Sequence, residues 1–165
     1  MKLIKIWEAD IIKLYELQSS FEKDENGFMN NAYGFTLEQY KEYVETKKYH
    51  SMGLRLYEGW VPDTAYVLED NGIYVGLFNL RHYLTDALAN GAGHIGYGIS
   101  SKYRNQGYAS KGLALVIEEA KKIIPEDEIY ISVHKDNPAS LKVQLKNGAV
   151  IHHEDEQSYY TRVKK

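Results

Sequence analysis

The sequence has no cysteine. Disulfides, thiolate metal sites and a cysteine nucleophile are therefore excluded, and the redox compartment stays open. Charge of one sign is also lacking: 20 Lys+Arg against 23 Asp+Glu leave a net charge of −3. That balance excludes a strongly basic nucleic-acid arm, because affinity for phosphate backbones rests on clustered cations. It mildly favours cationic or neutral small partners. No uncharged apolar stretch reaches membrane-spanning length. Lys5, Glu8 and Asp10 interrupt the first ten residues before a signal-peptide core could form. The expectation is a cytoplasmic protein with neither nucleic acid nor membrane as partner. Internal repeats, low-complexity segments and a domain boundary are absent too, so residues 1–165 are expected to form one domain.

What is present is ordinary globular material, 44% hydrophobic and 26% charged. Leu3, Ile4 and Ile6 suggest a first strand. Ile11, Leu14, Tyr15 and Leu17 have helical spacing, with Asp10 placed to start the helix. Residues 21–35 read as a loop. Thr36, followed by Glu38 and Gln39, opens a second helix bearing Leu37, Tyr40, Tyr43 and Val44. Its tyrosines, Tyr49 included, are expected to pack on a sheet with their hydroxyls in water. Residues 64–68 and 73–80 flank Asn71-Gly72, a strong hairpin signal. Residues 93–99 make a third strand. The best helix covers residues 109–124, where Leu113, Val116, Ile117, Ala120 and Ile124 share a face and Pro125 ends it. Ile129, Ile131 and Val133 alternate as a strand. Asn137 and Pro138 begin a shorter helix that Gly148 stops, and residues 149–153 and 159–163 close as a hairpin. This order predicts an α/β (α+β) layer fold with a mixed sheet.

Residues 99–110, ISSKYRNQGYAS, join a strand to the best helix. The first turn of a helix presents amide groups without internal partners, and with the helix dipole they attract phosphates. Gly107, Ala109 and Ser110 are small enough for close approach. Arg104 adds a cation. The segment is a phosphate cradle without a Walker lysine.

Arg104-x-x-Gly107-x-Ala109 resembles the acetyl-CoA pyrophosphate loop of the GNAT N-acetyltransferase superfamily. Its setting is similar too: a Gly-Tyr-Gly-Ile strand before it, then Asn137-x-x-Ser140, then Gly148-Ala149. The block from Gly76 to Ala109 looks like that of a bacterial subgroup of predicted acetyltransferases. The resemblance implies a mostly antiparallel central sheet of six to seven strands flanked by about four helices. It implies acetyl-CoA as cosubstrate, with the pyrophosphate held by Arg104, Asn105, Gln106, Gly107, Tyr108, Ala109 and Ser110. The backbone of Tyr97, Gly98 and Ile99 would pair with pantetheine, Gly96 and Gly98 leaving room for it. Asn137 and Ser140 belong to the same cofactor-binding set. The acetyl group would pass to an amine by direct attack in a ternary complex. The acceptor would be a small-molecule or peptide amine, and dimers are common in the family, so a homodimer is compatible.

An amine with a lysine-like pKa of about 10.4 must lose a proton before it attacks. His94 is the candidate base, at a position where many family members place Glu, and His82 and Asp86 are weaker candidates. Many family members carry a proton-donating Tyr seven residues after the motif Asn. Here that position is Gln144, a poor acid, so the general acid is left unassigned. A non-catalytic acyl-CoA-binding sensor or interaction domain on the same fold is the alternative function. Arg81, Asp86 and residues 21–35 are candidates for the acceptor pocket.

Three other signals are set aside. Gly91-Ala92-Gly93-His94-Ile95-Gly96 matches the dinucleotide pattern literally, but a loop precedes it and a strand follows. His152-His153 with Glu154, Asp155 and Glu156 lacks metal-ligand spacing, since neighbouring strand residues point to opposite faces. No metal is expected. Ser110 and Ser140 have no nucleophile elbow around them.

Overall fold

The computed structural model describes Met1–Lys165. Strand β1 (Lys2–Lys5) leads through a single 3-10 turn into helix α1 (Ile11–Ser19). Asp10 caps α1, its carboxylate accepting from the amides of Ile12 and Lys13. Residues 21–35 are not only loop: they contain a short hairpin, β2 (Asp24–Glu25) and β3 (Phe28–Met29). Its turn, Asn26-Gly27, has both residues at positive φ, which suits this pair. Helix α2 (Leu37–Ser51) begins with the expected capping box, Thr36 and Gln39 each satisfying the other's backbone.

Strands β4 (Asp63–Asp70) and β5 (Ile73–Arg81) are joined at Asn71-Gly72, again both at positive φ. A short helix α3 (Asp86–Ala89) precedes β6 (Ile95–Ile99). Helix α4 (Tyr108–Ile123), β7 (Glu128–His134), α5 (Pro138–Lys146), β8 (Val150–Glu154) and β9 (Ser158–Lys164) follow.

The expected mixed sheet is corrected: every strand pair is antiparallel, and the sheet is broken in its hydrogen bonding. An antiparallel block β1-β4-β5-β6 stands beside an antiparallel block β7-β9-β8. One bridge, Gly93 with Ile131, joins them. Gly93 lies at φ +67, and a Cβ there would collide with the Tyr130 carbonyl, so only glycine lets the blocks touch. Beyond this point β6 and β7 diverge.

Two cores hold the arrangement. Leu113, Val116, Ile117 and Ala120 of α4 are buried against Leu68, Phe78, Ile95 and Ile129. Gly112 lets α4 sit down on Phe78, where any side chain would clash. Leu113 is 0% exposed, and its truncation to Ala would cost about 2–5 kcal/mol. The opposite face is covered by α1 and α2 through Leu14, Leu17, Tyr40 and Val44. Here one expectation is corrected. The Tyr40 hydroxyl does not reach water: the residue is 0% exposed and donates to Gln18 Oε1 at 3.2 Å. Burial pushes its ionisation far up, with Tyr43 adding to the effect. The expected alternation of His152 and His153 also fails. A bulge between Ile151 and His153 brings the two rings within 5.1 Å of each other.

Candidate active site

The loop between β6 and α4 turns sharply before the helix. Asn105 stands at φ 61 and Gly107 at φ 82, so the chain curls twice through the left-handed region before the helix starts. Gly107 is the N-cap of α4, and no side chain caps the helix. The first hydrogen bond of the turn runs from the Lys111 amide to the Gly107 carbonyl. The amides of Asn105, Gln106, Gly107, Tyr108, Ala109 and Ser110 donate to no protein acceptor. Open space adjoins Gly107, where an added Cβ would meet nothing within 4 Å. A row of unpartnered donors with room in front of it fits a diphosphate.

The side chains around this row are turned to other tasks. Arg104 donates from Nε to the Ile99 carbonyl at 3.0 Å and pairs with Glu25 at 3.0 Å, so it braces the β2–β3 hairpin as well as the loop. The Tyr108 hydroxyl donates to Asp70 at 3.0 Å, away from the loop. Ser110 is held by the Asn147 side chain. Asn137 caps α5 by accepting from the Ser140 amide and donates to the Asn26 carbonyl.

A cavity of about 670 Å³ lies against the sheet at Gly96 and Tyr97 of β6. One end is the gap between β6 and β7, lined by Gly96, Tyr97, Ser132, Val133 and Ser140. The β5–β6 ladder explains why main chain is offered there. Arg81 N donates to His94 O, and Ser100 N to Val75 O, so even-numbered residues of β6 face β5. The amides of Tyr97 and Ile99 therefore point to the open edge. Gly96 and Gly98 part company here. A Cβ on Gly96 would meet nothing, whereas one on Gly98 would stand 2.8 Å from the Phe28 ring. At Gly98 the packing of β3 over the strand already requires glycine. The Asn26-Gly27 tip of that hairpin reaches His134 and Asn137 on the far side, so it roofs the gap.

The structure corrects the reading of His94 as a base. The ring is 0% exposed and does not line the cavity. Nδ1 accepts from the Tyr130 amide at 2.9 Å, which places the ring proton on Nε2, and Nε2 donates to Glu126 at 3.1 Å. Burial lowers its pKa against the opposing pull of Glu126, and neither nitrogen is free to take a proton from substrate. His82 shares a hydrogen bond with Thr64 at 2.8 Å, and Asp86 begins α3; neither lines the cavity.

A residue that spacing missed stands at the gap instead. The Tyr97 hydroxyl is 2.7 Å from Ser140 Oγ. Burial raises its pKa, opposed by its bonds to Ser140 and Gln144. The position of Gln144 is explained as well: fully buried, it accepts from Thr161 at 2.7 Å and donates to the Ser132 carbonyl, tying α5 to the second block. The alternation of β6 could have pointed to Tyr97, since it sets Tyr97 with Ile95 and Ile99 on the α4 side.

The sequence profile of the acetyltransferase (GNAT) domain matches residues 2–150. The chain belongs to the GNAT acetyltransferase family. As a member it is an acetyl-CoA-dependent N-acetyltransferase. No curated protein sequence matches it. Solved structures resemble it in fold. N-acetyltransferase PseH of Campylobacter jejuni, in complex with acetyl coenzyme A, superposes with a TM-score of 0.61 at 15% identity, covering 99% of this chain and 98% of that one. A GNAT acetyltransferase of Streptococcus pneumoniae gives 0.62 at 18% identity, covering 99% and 100%. Spermidine N-acetyltransferase of Vibrio cholerae, in complex with CoA and spermine, gives 0.63 at 13% identity, covering 99% and 94%.

Proposed function

We propose that the protein transfers an acetyl group from acetyl-CoA to a primary amine by direct attack in a ternary complex. The observation that carries this reading is the run of unpartnered amides from Asn105 to Ser110, in the loop that leaves the end of β6. Those amides would hold the pyrophosphate, and the amides of Tyr97 and Ile99, on the open edge of β6, would pair with pantetheine. Bound acetyl-CoA supplies an activated acyl thioester. The β2–β3 hairpin covers one side of the gap through its contacts with His134 and Asn137. Arg104 acts through the hairpin and the loop, as a brace more than as a direct cation, because Glu25 already neutralises it.

Tyr97, on β6, takes the role of proton donor that Gln144, on α5, cannot fill. Its raised pKa keeps the hydroxyl protonated at neutral pH, and Ser140 aims it. No side chain is assigned as base. Deprotonation of the amine then falls to water, and the rate follows the free-amine fraction.

The sensor alternative rests on Gln144 alone and loses its support once Tyr97 supplies an acid. Calorimetric titration with CoA, followed by CoA-release assays on a panel of amines, tests the reading. Binding with turnover is expected; tight binding without turnover on any amine would favour the sensor, and absent binding would refute both.

A further inference from the structure

The second end of the cavity carries an unbalanced charge. Its floor is one face of the first sheet block: Asp63 and Ala65 from β4, Leu77, Asn79 and Arg81 from β5, and Gly96 from β6. Lys47 comes down from α2 onto this face. It pairs with Asp63 and reaches Asn79 Oδ1 at 3.4 Å. Both members of the pair are largely buried, at 10% and 13% side-chain exposure. Asp63 is the sole carboxylate lining the cavity; it pairs with Lys47 and also faces Arg81, its cross-strand neighbour, so one carboxylate stands against two cations.

Arg81 is left over. Its one hydrogen bond runs from Nη1 to the Gly93 carbonyl at 3.1 Å. A guanidinium has five N–H groups, so four remain without a protein acceptor. Arg81 lines the cavity, and neither Nε nor Nη2 is a buried atom without a partner, so both are open to solvent. The bond to Gly93 fixes the fork, so the group is a preorganised receptor for a carboxylate or phosphate.

We infer that the acceptor is a small primary amine that also bears an anionic group, carboxylate or phosphate, and that Arg81 receives that group. The inference rests on the acetyltransferase reading above. Arg81 follows Asn79 by two residues on one face of β5, and Asn79 lies opposite Gly96 at the gap. Two strand residues span roughly 7 Å, so the anion and the reacting amine are a few bonds apart. A diamine or polyamine finds no free carboxylate here and meets Arg81 as a like charge. The whole-chain charge of −3, which mildly favoured cationic partners, is thus reversed locally.

The test compares four amines of similar length: β-alanine, phosphoethanolamine, propanolamine and diaminopropane. The expected kcat/KM for the better anionic amine exceeds that for propanolamine by about tenfold or more, with diaminopropane last. β-Alanine leading would identify a carboxylate, phosphoethanolamine a phosphate. Arg81→Gln should cost the anionic amine about tenfold while leaving propanolamine within about threefold, and Arg81→Lys should recover part of the loss. Diaminopropane matching the anionic amines, or Arg81→Gln lowering all four alike, would overturn the inference. If Arg81→Gln does not fold, the wild-type ranking and Arg81→Lys decide. If none of the four is acetylated, equilibrium binding to the CoA complex replaces rate, and equal or absent binding of the anionic amines overturns the inference. CoA affinity, measured separately, should be unchanged in Arg81→Gln. Wild-type protein that fails to bind CoA sinks the acetyltransferase reading; wild-type protein that binds CoA but prefers the diamine sinks only this one.

Discussion

His94 grips Tyr130 twice. Its backbone amide donates to the Tyr130 carbonyl at 2.7 Å, and its ring accepts from the Tyr130 amide at 2.9 Å. This is the point where β6 and β7 are still joined and beyond which they part. A histidine here sets the vertex of the gap, because an imidazole acceptor replaces the carbonyl that a continued ladder would have supplied.

Replacing that ring with a methyl group leaves the Tyr130 amide without an acceptor, leaves Glu126 with only the Leu84 amide, and opens a cavity. His94→Ala should lose about 2–4 kcal/mol, or about 5–10 °C in a thermal melt. The shape of the pH–rate profile, taken well below the melting temperature, should be unchanged. A profile that loses an inflection near neutral pH in the variant would restore His94 as a base.

The same geometry gives a pH dependence of stability. Burial holds the His94 pKa below its unfolded value of about 6.5, so below that pH the unfolded chain binds more protons than the folded one. The stability is present above about pH 6.5 and is lost as pH falls toward the lower folded pKa. A protonated ring would also point Nδ1–H at the Tyr130 amide. Melting temperatures measured across the acid range should fall below about pH 6.5 in the wild type and fall less in His94→Ala. Parallel curves for the two proteins would contradict this.

The sequence announced what depends on neighbours along the chain. Asp10, Thr36 with Gln39, and Asn137 all cap the helices they were expected to open. Asn71-Gly72 makes its hairpin, and residues 99–110 present the free amides. What stayed hidden depends on partners far away in sequence. Glu126, 32 residues from His94, decides the fate of that ring. Tyr97 finds Ser140 only because α5 folds back against the gap. The β2–β3 hairpin has strands of two residues each, too short to show alternation. The break in the sheet is invisible because β6 and β7 each read as ordinary strands.

Tyr97→Phe removes a hydroxyl and keeps the stacked ring, whose centroid is 5.6 Å from that of Phe78. The lost bond to Ser140 should cost about 1 kcal/mol of stability. If the hydroxyl donates the proton, kcat should fall by about a hundredfold while CoA affinity stays within about threefold. Steady-state kinetics beside calorimetry separate the two effects. An unchanged kcat would remove Tyr97 from the chemistry.

Gly107→Val fills the space in front of the free amides and forces a branched side chain to φ 82. The backbone strain alone should cost about 1–2 kcal/mol of stability. The CoA dissociation constant should rise by about a hundredfold or more, since several charge-assisted bonds are blocked at once. Equal CoA affinity in a folded variant would contradict the assignment of the loop.

The phosphate cradle can be watched directly. Titrating ¹⁵N-labelled protein with CoA should move the amide resonances of Asn105 to Ser110 downfield and by more than any others, with smaller changes at Tyr97 and Ile99. Binding that leaves those six amides in place while shifting resonances elsewhere would contradict the account.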